Sequence, residues 1–198
     1  TVLYEESPEA AVAAIGQLTA SGPSPFADQA LGWLVELRGD APNLLENGAF
    51  EDWNGGKPET GPDDWDASRA PAGWSTWCRT GSSRFSRGAE KGRNGSAAAL
   101  IARADGACYL QKVPVRPGER YLCSVWASCD TRGATVAAAL GVRWQDSTGT
   151  WLPDDQSHEP KTELAVQGGR WERLGAVATV PEGAGYLVLM LSAANQTG

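Results

Sequence analysis

From Pro42 onward the apolar residues recur at every second position, which is the pattern of β-strands. Over residues 121–129 the odd positions carry Tyr, Cys, Val and Ala, and over residues 136–144 the even positions carry Val, Ala, Leu and Trp. Residues 186–191 alternate in the same way, and turn-forming clusters of Gly, Pro and Ser separate the runs. Many short strands at this spacing predict an antiparallel β-sandwich or jelly roll over residues 41–198.

Two stretches at the start of this region have other patterns. The short apolar run at 43–51 is broken by an Asn-Gly turn, and we interpret it as the first strand of the sandwich. Residues 52–72 are polar, rich in Gly and Pro, and without periodicity. We predict a long loop there, and loops of this length are often functional.

Residues 1–40 follow a helical pattern instead. Ser7-Pro8 and Ser24-Pro25 each provide an N-cap serine with proline at the first helical position. Apolar residues follow at helical spacing in the second segment, which ends at Gly39. The pattern predicts a short helical hairpin, too small to be a domain alone. We expect it either to pack on the sandwich or to be the tail of an upstream domain.

The charge of the chain excludes one class of function. Its 198 residues include 17 Lys and Arg against 24 Asp and Glu, a formal net charge of −7. A nucleic-acid scaffold needs a basic surface, so we predict no nucleic-acid partner. No apolar run approaches the ~20 residues of a membrane span, and no signal-peptide pattern is present. Because the chain begins with Thr1, we interpret it as a mature or excised fragment.

The aromatic residues and the cysteines limit which ligands, disulfides and metals the chain can have. Nine Trp stand against three Phe and four Tyr, which indicates a heavily aromatic core or a surface that stacks on sugar rings. We interpret Trp74, Trp144 and Trp171 as core. The four cysteines leave open both a Cys108–Cys123 bridge and small buried thiols. Zinc is excluded, because the chain has no C-x-x-C pair and only one His.

Four motifs follow one another along the chain: Asn-Leu-Leu-x-Asn-Gly-x-Phe-Glu at 43–51, Gly-Trp-x-x-Trp at 73–77, Val-x-Val-x-Pro-Gly-x-x-Tyr-x-x-Ser-x-Trp at 113–126, and Trp-x-x-Leu at 171–174. Together they resemble carbohydrate-binding modules of the family 4, 9 and 22 type. The resemblance implies a galactose-binding-like β-jelly roll that binds a polysaccharide chain and has no catalysis of its own. It also implies an upstream glycoside hydrolase or related catalytic domain in a larger extracellular, cell-surface or periplasmic protein.

The resemblance further implies a structural calcium at the edge of the sandwich. Glu51, the carboxylate after the Phe of the first motif, would be a ligand, with others from the turn near 92–94 and from an acid on a closing strand. Oxygen ligands of this kind suit a hard cation. This chain ends before any closing Asp. Either its last strand is missing from the chain, or the calcium site is incomplete.

Candidate ligand-binding residues come from the strand faces. Trp126 shares its strand face with Ser124 and Ser128, and an aromatic ring on a polar face suits stacking against a sugar; the alternative is a Trp covered by the helical hairpin. Arg143 faces outward, either to hydrogen-bond sugar hydroxyls or a uronate, or as an ordinary exposed charge. Tyr109 is a third candidate, outward or inward depending on a strand register that the sequence leaves open.

Three further tryptophans lie in predicted loops, next to Asp and Gly. Trp53, Trp65 and Trp151 are candidates for an exposed binding platform, or they tuck back onto the edge of the sandwich. A basic cluster at 79–93 faces either an acidic glycan or solvent at a strand edge.

An enzyme needs more specific chemistry than these residues supply. A glycosidase needs two carboxylates about 5 to 9.5 Å apart, and Asp63, Asp64 and Asp66 lie in a polar loop with no sign of burial. A polysaccharide lyase needs a base, and His158 is also in a polar loop. We therefore predict a non-catalytic glycan-binding module. The alternatives are a ligand-free structural or docking sandwich and, third, a jelly-roll lyase or glycosidase.

Overall fold

The structure, a computed structural model, describes residues 42–53, 70–79, 83–129, 135–153, 161–194 and 196. The helical hairpin predicted over residues 1–40 lies outside these residues. Within the described part of the chain, no helix is long and apolar enough to cross a membrane.

Nine β-strands account for most of the described residues. They are β1 (Ser75–Cys78), β2 (Arg84–Gly88), β3 (Ala98–Ala102), β4 (Ala107–Pro114), β5 (Arg120–Ala127), β6 (Thr135–Gln145), β7 (Lys161–Gln167), β8 (Glu172–Thr179) and β9 (Tyr186–Ala194). Five of them form one antiparallel sheet in the order β1-β4-β9-β6-β7, and the others form two antiparallel pairs, β2–β3 and β5–β8.

The two strand pairs cover the inner face of the five-stranded sheet. Phe85 of β2 and Leu174 of β8 belong to the same buried cluster as Leu140 of β6. Burial of apolar side chains between two layers is what holds such a sandwich together. The predicted antiparallel β-sandwich of the jelly-roll type is confirmed.

The predicted alternation along β6 decides which side chains enter the core. Leu140 and Trp144 are 0% exposed. Gly141 and Arg143, at the alternate positions of the same strand, lie on the outer face. Trp74, also predicted to be core, is buried, whereas Trp171 is half-buried.

The segment 43–51 is not the first strand that the sequence predicts. Turns occupy residues 46–49, and Asn47 and Phe50 both have positive φ, at 48° and 59°. The side chain of Asn47 explains this: its amide donates to the main-chain oxygen of Asp52 at 2.6 Å and accepts from the Asp52 N–H at 3.1 Å. These local bonds replace the bonds that a sheet would supply.

Gln111 fastens this turn segment to the five-stranded sheet. Its side-chain oxygen accepts from the Glu46 N–H at 2.8 Å, and its amide donates to the main-chain oxygens of Glu46 and Gly73 at 2.8 and 3.1 Å. The residue is 5% exposed, so these bonds are what makes its burial tolerable. The indole of Trp74 adds a bond to the Glu46 oxygen at 3.2 Å.

All four cysteines are free thiols. The Cys108–Cys123 bridge left open by the sequence does not form, because Cys108 lines the outer face of its sheet while Cys123 points into the core between the sheets. Cys108, Cys123 and Cys129 are the small buried residues of the alternative interpretation.

Candidate functional site

The outer face of the five-stranded sheet carries a groove with a cavity volume of about 350 Å³. Its floor comes from the two neighbouring strands β9 and β6, where most outward positions are small: Ala137, Ala139 and Gly141 on β6, and Ser192 and Ala194 on β9, beside the larger Met190. Because such side chains rise little above the backbone, the centre of the face is lower than its edges. The groove therefore follows from small residues at alternate positions of two strands.

One row of register partners crosses all five strands through this groove. Trp77 of β1 pairs with Cys108 of β4, Cys108 with Ser192, Ser192 with Ala139, and Ala139 with Glu163 of β7. At about 4.8 Å between neighbouring strands, the row spans about 19 Å from edge to edge. An aromatic residue thus stands at one edge of the sheet and a carboxylate at the other, with small side chains between them.

Trp77 forms the apolar wall of the groove. It is 50% exposed, whereas Trp74, three residues earlier, is only 6% exposed. The two differ because they point to opposite faces. Trp77 points to the outer face together with Ser75, whereas Trp74 points into the core, on the side of Thr76 and Cys78. A tryptophan held on a strand with half of its surface in solvent is a platform on which a flat ligand can stack.

The structure brings together two residues that the sequence singles out, Arg143 and Trp151. The guanidinium of Arg143 lies 4.6 Å from the centroid of the Trp151 ring, in cation–π geometry. Trp151 is 43% exposed and forms a bridge with Gln145 at the end of β6. Arg143 also lines the groove, so this pair marks one end of it.

A charged pair stands along the opposite edge of the groove, on β7. The Lys161 ammonium lies 2.6 Å from a carboxylate oxygen of Glu163, and both side chains are more than half exposed. An exposed pair of this kind adds little to stability. It does place one donor group and one acceptor group at the rim, within reach of a bound ligand.

Cys108 in the floor is a buried free thiol. Burial raises the pKa of its thiol to about 11, although a hydrogen bond with Ser192 acts in the opposite direction. Since the thiolate is the nucleophile, a thiol with this pKa stays protonated and unreactive at neutral pH. The floor of the groove therefore provides shape rather than reactivity.

Trp126 lies away from this groove, on the outer face of the β5–β8 pair. The Arg93 guanidinium sits 3.8 Å from the centroid of its ring. The neighbouring Ser124 hydroxyl accepts a hydrogen bond from Arg173 at 3.2 Å. Trp126 and Ser124 share one strand face, as their spacing predicts, but an arginine already covers one side of the ring. The binding role of Trp126 stays a prediction.

Tyr109 is not a surface residue, which corrects its assignment as a ligand-binding candidate. The register of β4 turns it inward, where it is 1% exposed and packs edge-on against Phe85. Its hydroxyl donates to the main-chain oxygen of Leu100 at 3.0 Å. Burial raises the pKa of this phenol well above its usual range, as expected of a core hydroxyl with its hydrogen bond inside the protein.

Two loop tryptophans remain, and the structure describes one of them, Trp53. Trp53 packs against the core, donates its indole N–H to the main-chain oxygen of Phe50 at 2.7 Å, and bridges to Pro71. This is the alternative in which the ring tucks onto the edge of the sandwich. Trp65 lies outside the described residues.

Sequence reasoning overlooked Trp77. The signal was present, because Trp77 shares its strand face with Ser75, the same argument that points to Trp126. The alternate positions 137, 139 and 141, all Ala or Gly, are a second signal for a depression in a sheet face.

The carboxylate of Glu51 contacts two groups of the protein. One of its carboxylate oxygens accepts from the Ala97 N–H at 3.1 Å, and the other lies 3.9 Å from the guanidinium of Arg87. Calcium takes six to eight oxygen ligands, carboxylates prominent among them. No group of three or more acidic, His or Cys side chains forms a metal site within the described ranges. A cationic side chain thus stands near the Glu51 carboxylate, and the role of Glu51 as a calcium ligand stays a prediction.

We expect EDTA to leave the thermal midpoint of unfolding unchanged within about 1 °C, because Arg87 and the Ala97 N–H already engage the Glu51 carboxylate. A metal bound to the folded chain would raise the midpoint, and its removal by EDTA would lower it. Differential scanning calorimetry with EDTA and with excess calcium measures this. A fall of several degrees in EDTA that calcium alone reverses would support the metal role of Glu51.

No protein-family model matches the chain, and no curated protein matches it in sequence. Solved structures match in fold. The chain is similar to the enzymatically active domain of tailspike protein 4 of bacteriophage CBA120, with a TM-score of 0.54 and 17% identity over 79% of this chain and 20% of that one. It is also similar to TmCBM61 in complex with β-1,4-galactotriose, with a TM-score of 0.50 and 14% identity over 80% of this chain and 91% of that one.

A third similar structure comprises the CBM22-1 and GH10 modules of Clostridium thermocellum endo-1,4-β-D-xylanase 10B, complexed with xylohexaose. Its TM-score is 0.45 at 19% identity, over 63% of this chain and 24% of that one. The chain thus spans a fifth of the tailspike chain and about a quarter of the xylanase chain. The likeness to TmCBM61 confirms the predicted β-sandwich fold, which the two chains share.

Proposed function

We propose that this chain is a glycan-binding module that holds a polysaccharide in the groove of its five-stranded sheet. The observation that carries the proposal is the row from Trp77 to Glu163, in which an exposed tryptophan, a floor of small side chains and a charged rim follow one another. A concave site with an apolar surface and a few converging polar groups is the general form of a ligand site.

The chemistry of a sugar matches these parts. A pyranose ring has an apolar C–H face and a rim of hydroxyls. The C–H face stacks on the Trp77 ring, which buries apolar surface of both partners. The hydroxyls reach Arg143, Lys161 and Glu163, which line the groove and provide charged donors and one charged acceptor.

Binding of this kind is weak and depends on the aromatic contact. Each sugar hydroxyl exchanges a hydrogen bond to water for one to the protein, at little net gain. Association also costs translational and rotational freedom. Stacking on Trp77 therefore supplies the larger share of the affinity, and the polar rim selects the orientation of the chain.

The likeness to TmCBM61 supports this function. That protein was solved with β-1,4-galactotriose, and its match with this chain covers nearly its whole length. The shared fold supports a glycan ligand but does not select among sugars. Which sugar binds depends on groove residues that the two proteins need not share at 14% identity.

A binding role without catalysis is supported by the lining of the groove. Of the described residues that line it, Glu163 is the one carboxylate, whereas a glycosidase needs two. Cys108 is protonated and gives no nucleophile. The acids at 63, 64 and 66 and His158, which the sequence raises for the enzyme alternative, lie outside the described residues.

We also propose that the module is part of a larger extracellular, cell-surface or periplasmic protein with a carbohydrate-active catalytic domain upstream. The support is the size of the matched proteins, because the tailspike and xylanase chains are four to five times as long as their matched parts. A weak single site gains from such attachment, since tethering raises the effective concentration of glycan at the neighbouring domain.

Affinity electrophoresis in gels that contain soluble polysaccharides tests the function. We expect retardation on at least one glycan, with no release of reducing or unsaturated ends over a long incubation. A chain that migrates freely on every glycan is a structural or docking sandwich. Release of new chain ends identifies an enzyme and overturns the binding proposal.

A further inference from the structure

We infer that the glycan crosses the outer face of the five-stranded sheet diagonally, from Trp77 to Trp151, and that Trp151 is a second stacking residue; this rests on the proposed function and sets the length and direction of its ligand. Among the described residues, three large hydrophobic side chains are exposed, Leu44, Trp77 and Trp151. Single exposed hydrophobic residues are normal on a protein surface. Two tryptophans at opposite ends of one groove are a pattern.

Strand pairing places Trp151 on the outer face of the sheet. It bridges to Gln145 of β6 in antiparallel geometry, and residues paired in this way point to the same side. Gln145 lies two positions after Arg143, which is on the outer face. The cation–π contact between the Arg143 guanidinium and the Trp151 ring agrees with this placement. Trp151 therefore stands beside the end of the groove that Arg143 lines.

Hydrogen bonds on both sides of Trp151 hold it in a fixed position. Before it, the Asp146 carboxylate accepts from the N–H groups of Thr148 at 2.8 Å and Thr150 at 3.0 Å. After it, the Leu152 N–H donates to a main-chain oxygen of β6 at 3.0 Å, and the Leu152 side chain packs against the core. A side chain that is already ordered loses little freedom when a ligand binds.

The arginine on Trp151 leaves much of the ring open. Trp151 is 43% exposed with Arg143 in place, whereas Trp126, which stacks on Arg93 in the same manner, is half-buried. An aromatic ring has two faces, so a guanidinium on one of them does not prevent stacking on the other. Trp151 can therefore contact the C–H face of a sugar ring.

The register gives the distance between the two tryptophans. Trp77 lies on the row of Ala139, six residues before Gln145 along β6. Gln145 pairs with Tyr186 of β9 on one side, so Trp151 lies on the other side, in line with β7. Strand spacings of about 4.8 Å and rises of about 3.4 Å per residue then separate the backbones of Trp77 and Trp151 by about 28 Å.

This distance corresponds to a short run of sugar units. A pyranose unit in an extended chain, made of bonds of about 1.5 Å, advances the chain by about 5 Å. A glycan that stacks on both Trp77 and Trp151 therefore spans about five or six units. The ligand of the site is a chain segment of this length rather than a single sugar.

Small side chains keep the diagonal open between the two rings. Ser192, Ala139 and Gly141 line the groove along it. A methyl group added at Gly141 would lie 4.0 Å from its nearest neighbours on β7 and β9, so there is space above this position. Lys161 and Glu163 stand on the β7 side of the same path. A glycan on this path passes both the aromatic rings and the charged rim.

Oligosaccharides of graded length test the inference. They are prepared by partial hydrolysis of the polysaccharide that the gel assay retains and are separated by length, from about two to eight units. Isothermal titration calorimetry gives their affinities. We expect the hexamer to bind about thirtyfold more tightly than the trimer, about tenfold from the second stacking contact and about threefold from the greater number of ways to place a longer chain. Affinity should level off beyond about seven units.

Trp151→Ala should reduce the ratio of hexamer to trimer affinity to about threefold, because the second stacking contact is lost. Trp151→Tyr, which keeps a ring, should retain most of the ratio. Trp126→Ala is the matched control, since it removes a tryptophan stacked on an arginine from the other sheet; it should keep the ratio. All three variants should unfold at the midpoint of the unmodified chain, because neither tryptophan belongs to the buried cluster.

A hexamer that binds no more than about threefold more tightly than the trimer overturns the inference and leaves the proposed function standing. Equal weakening of trimer and hexamer in Trp151→Ala also overturns it, because Trp151 would then act only by positioning Arg143. If neither the polysaccharides nor their oligosaccharides bind, the proposed function itself fails.

Discussion

Replacing Trp77 by alanine is expected to weaken binding of the retained polysaccharide about thirtyfold. The ring is the one large apolar side chain at the aromatic edge of the groove row, and half of its surface is open to solvent. Truncation of the main aromatic contact of a binding site costs about 2 kcal/mol or more, which corresponds to about thirtyfold in affinity. Isothermal titration calorimetry, or the concentration dependence of gel retardation, measures the loss.

The matched control is Trp126→Ala, which removes the same side chain from the outer face of the other sheet. We expect its affinity to stay within about twofold of the unmodified chain, because Arg93 already covers its ring. Both variants should keep their thermal midpoints, since neither ring is part of the buried core. Loss of binding in Trp126→Ala with retention in Trp77→Ala would move the site to the β5–β8 pair.

Replacing Gln111 by leucine is expected to lower the free energy of unfolding by about 3 kcal/mol, because it removes three hydrogen bonds that each contribute about 1 kcal/mol. The change leaves the Glu46 N–H and the Gly73 oxygen without the bonds that Gln111 makes to them. Urea unfolding followed by tryptophan fluorescence measures the effect as a lower midpoint with an unchanged slope.

Lys112→Leu is the control for Gln111→Leu, since it introduces the same side chain at the next position, on the outer face. Its loss is the contact with Tyr186, so we expect a change below about 1 kcal/mol. If both variants lost a similar free energy of unfolding, the hydrogen bonds of Gln111 would add no more stability than the exposed contact of Lys112. The role of Gln111 in fastening the turn segment would then be wrong.

Period-two alternation was sufficient to predict the sandwich and much of its core. It places Leu140 and Trp144 inward and Arg143 outward without reference to any other strand, because the two faces of a strand are a local property. The alternation of Ser124 and Trp126 on one face of β5 has the same origin. The Asn-Gly turn at Asn47 was also visible in the sequence, but its outcome, a turn segment in place of a first strand, depends on bonds to Asp52.

Apart from Arg143 and Trp151, the candidate site escaped prediction because it is made by register. Trp77, Cys108, Ser192, Ala139 and Glu163 are far apart in the chain and meet only because five strands pair in one alignment. A shift of one residue in any strand would turn its whole set of side chains to the other face. Tyr109 illustrates the same limit, since only the register of β4 settles that it points inward.

The small residues of the groove floor have a consequence for how this protein can change. Ala139 and Gly141 take no part in the buried cluster, which uses Leu140 and Val142 from the same strand. Selection for a new ligand can therefore act on one set of positions while the fold is maintained by the other. A library randomised at 137, 139 and 141 would sample groove depth at low risk to foldability, so binding preference in this scaffold is open to directed evolution.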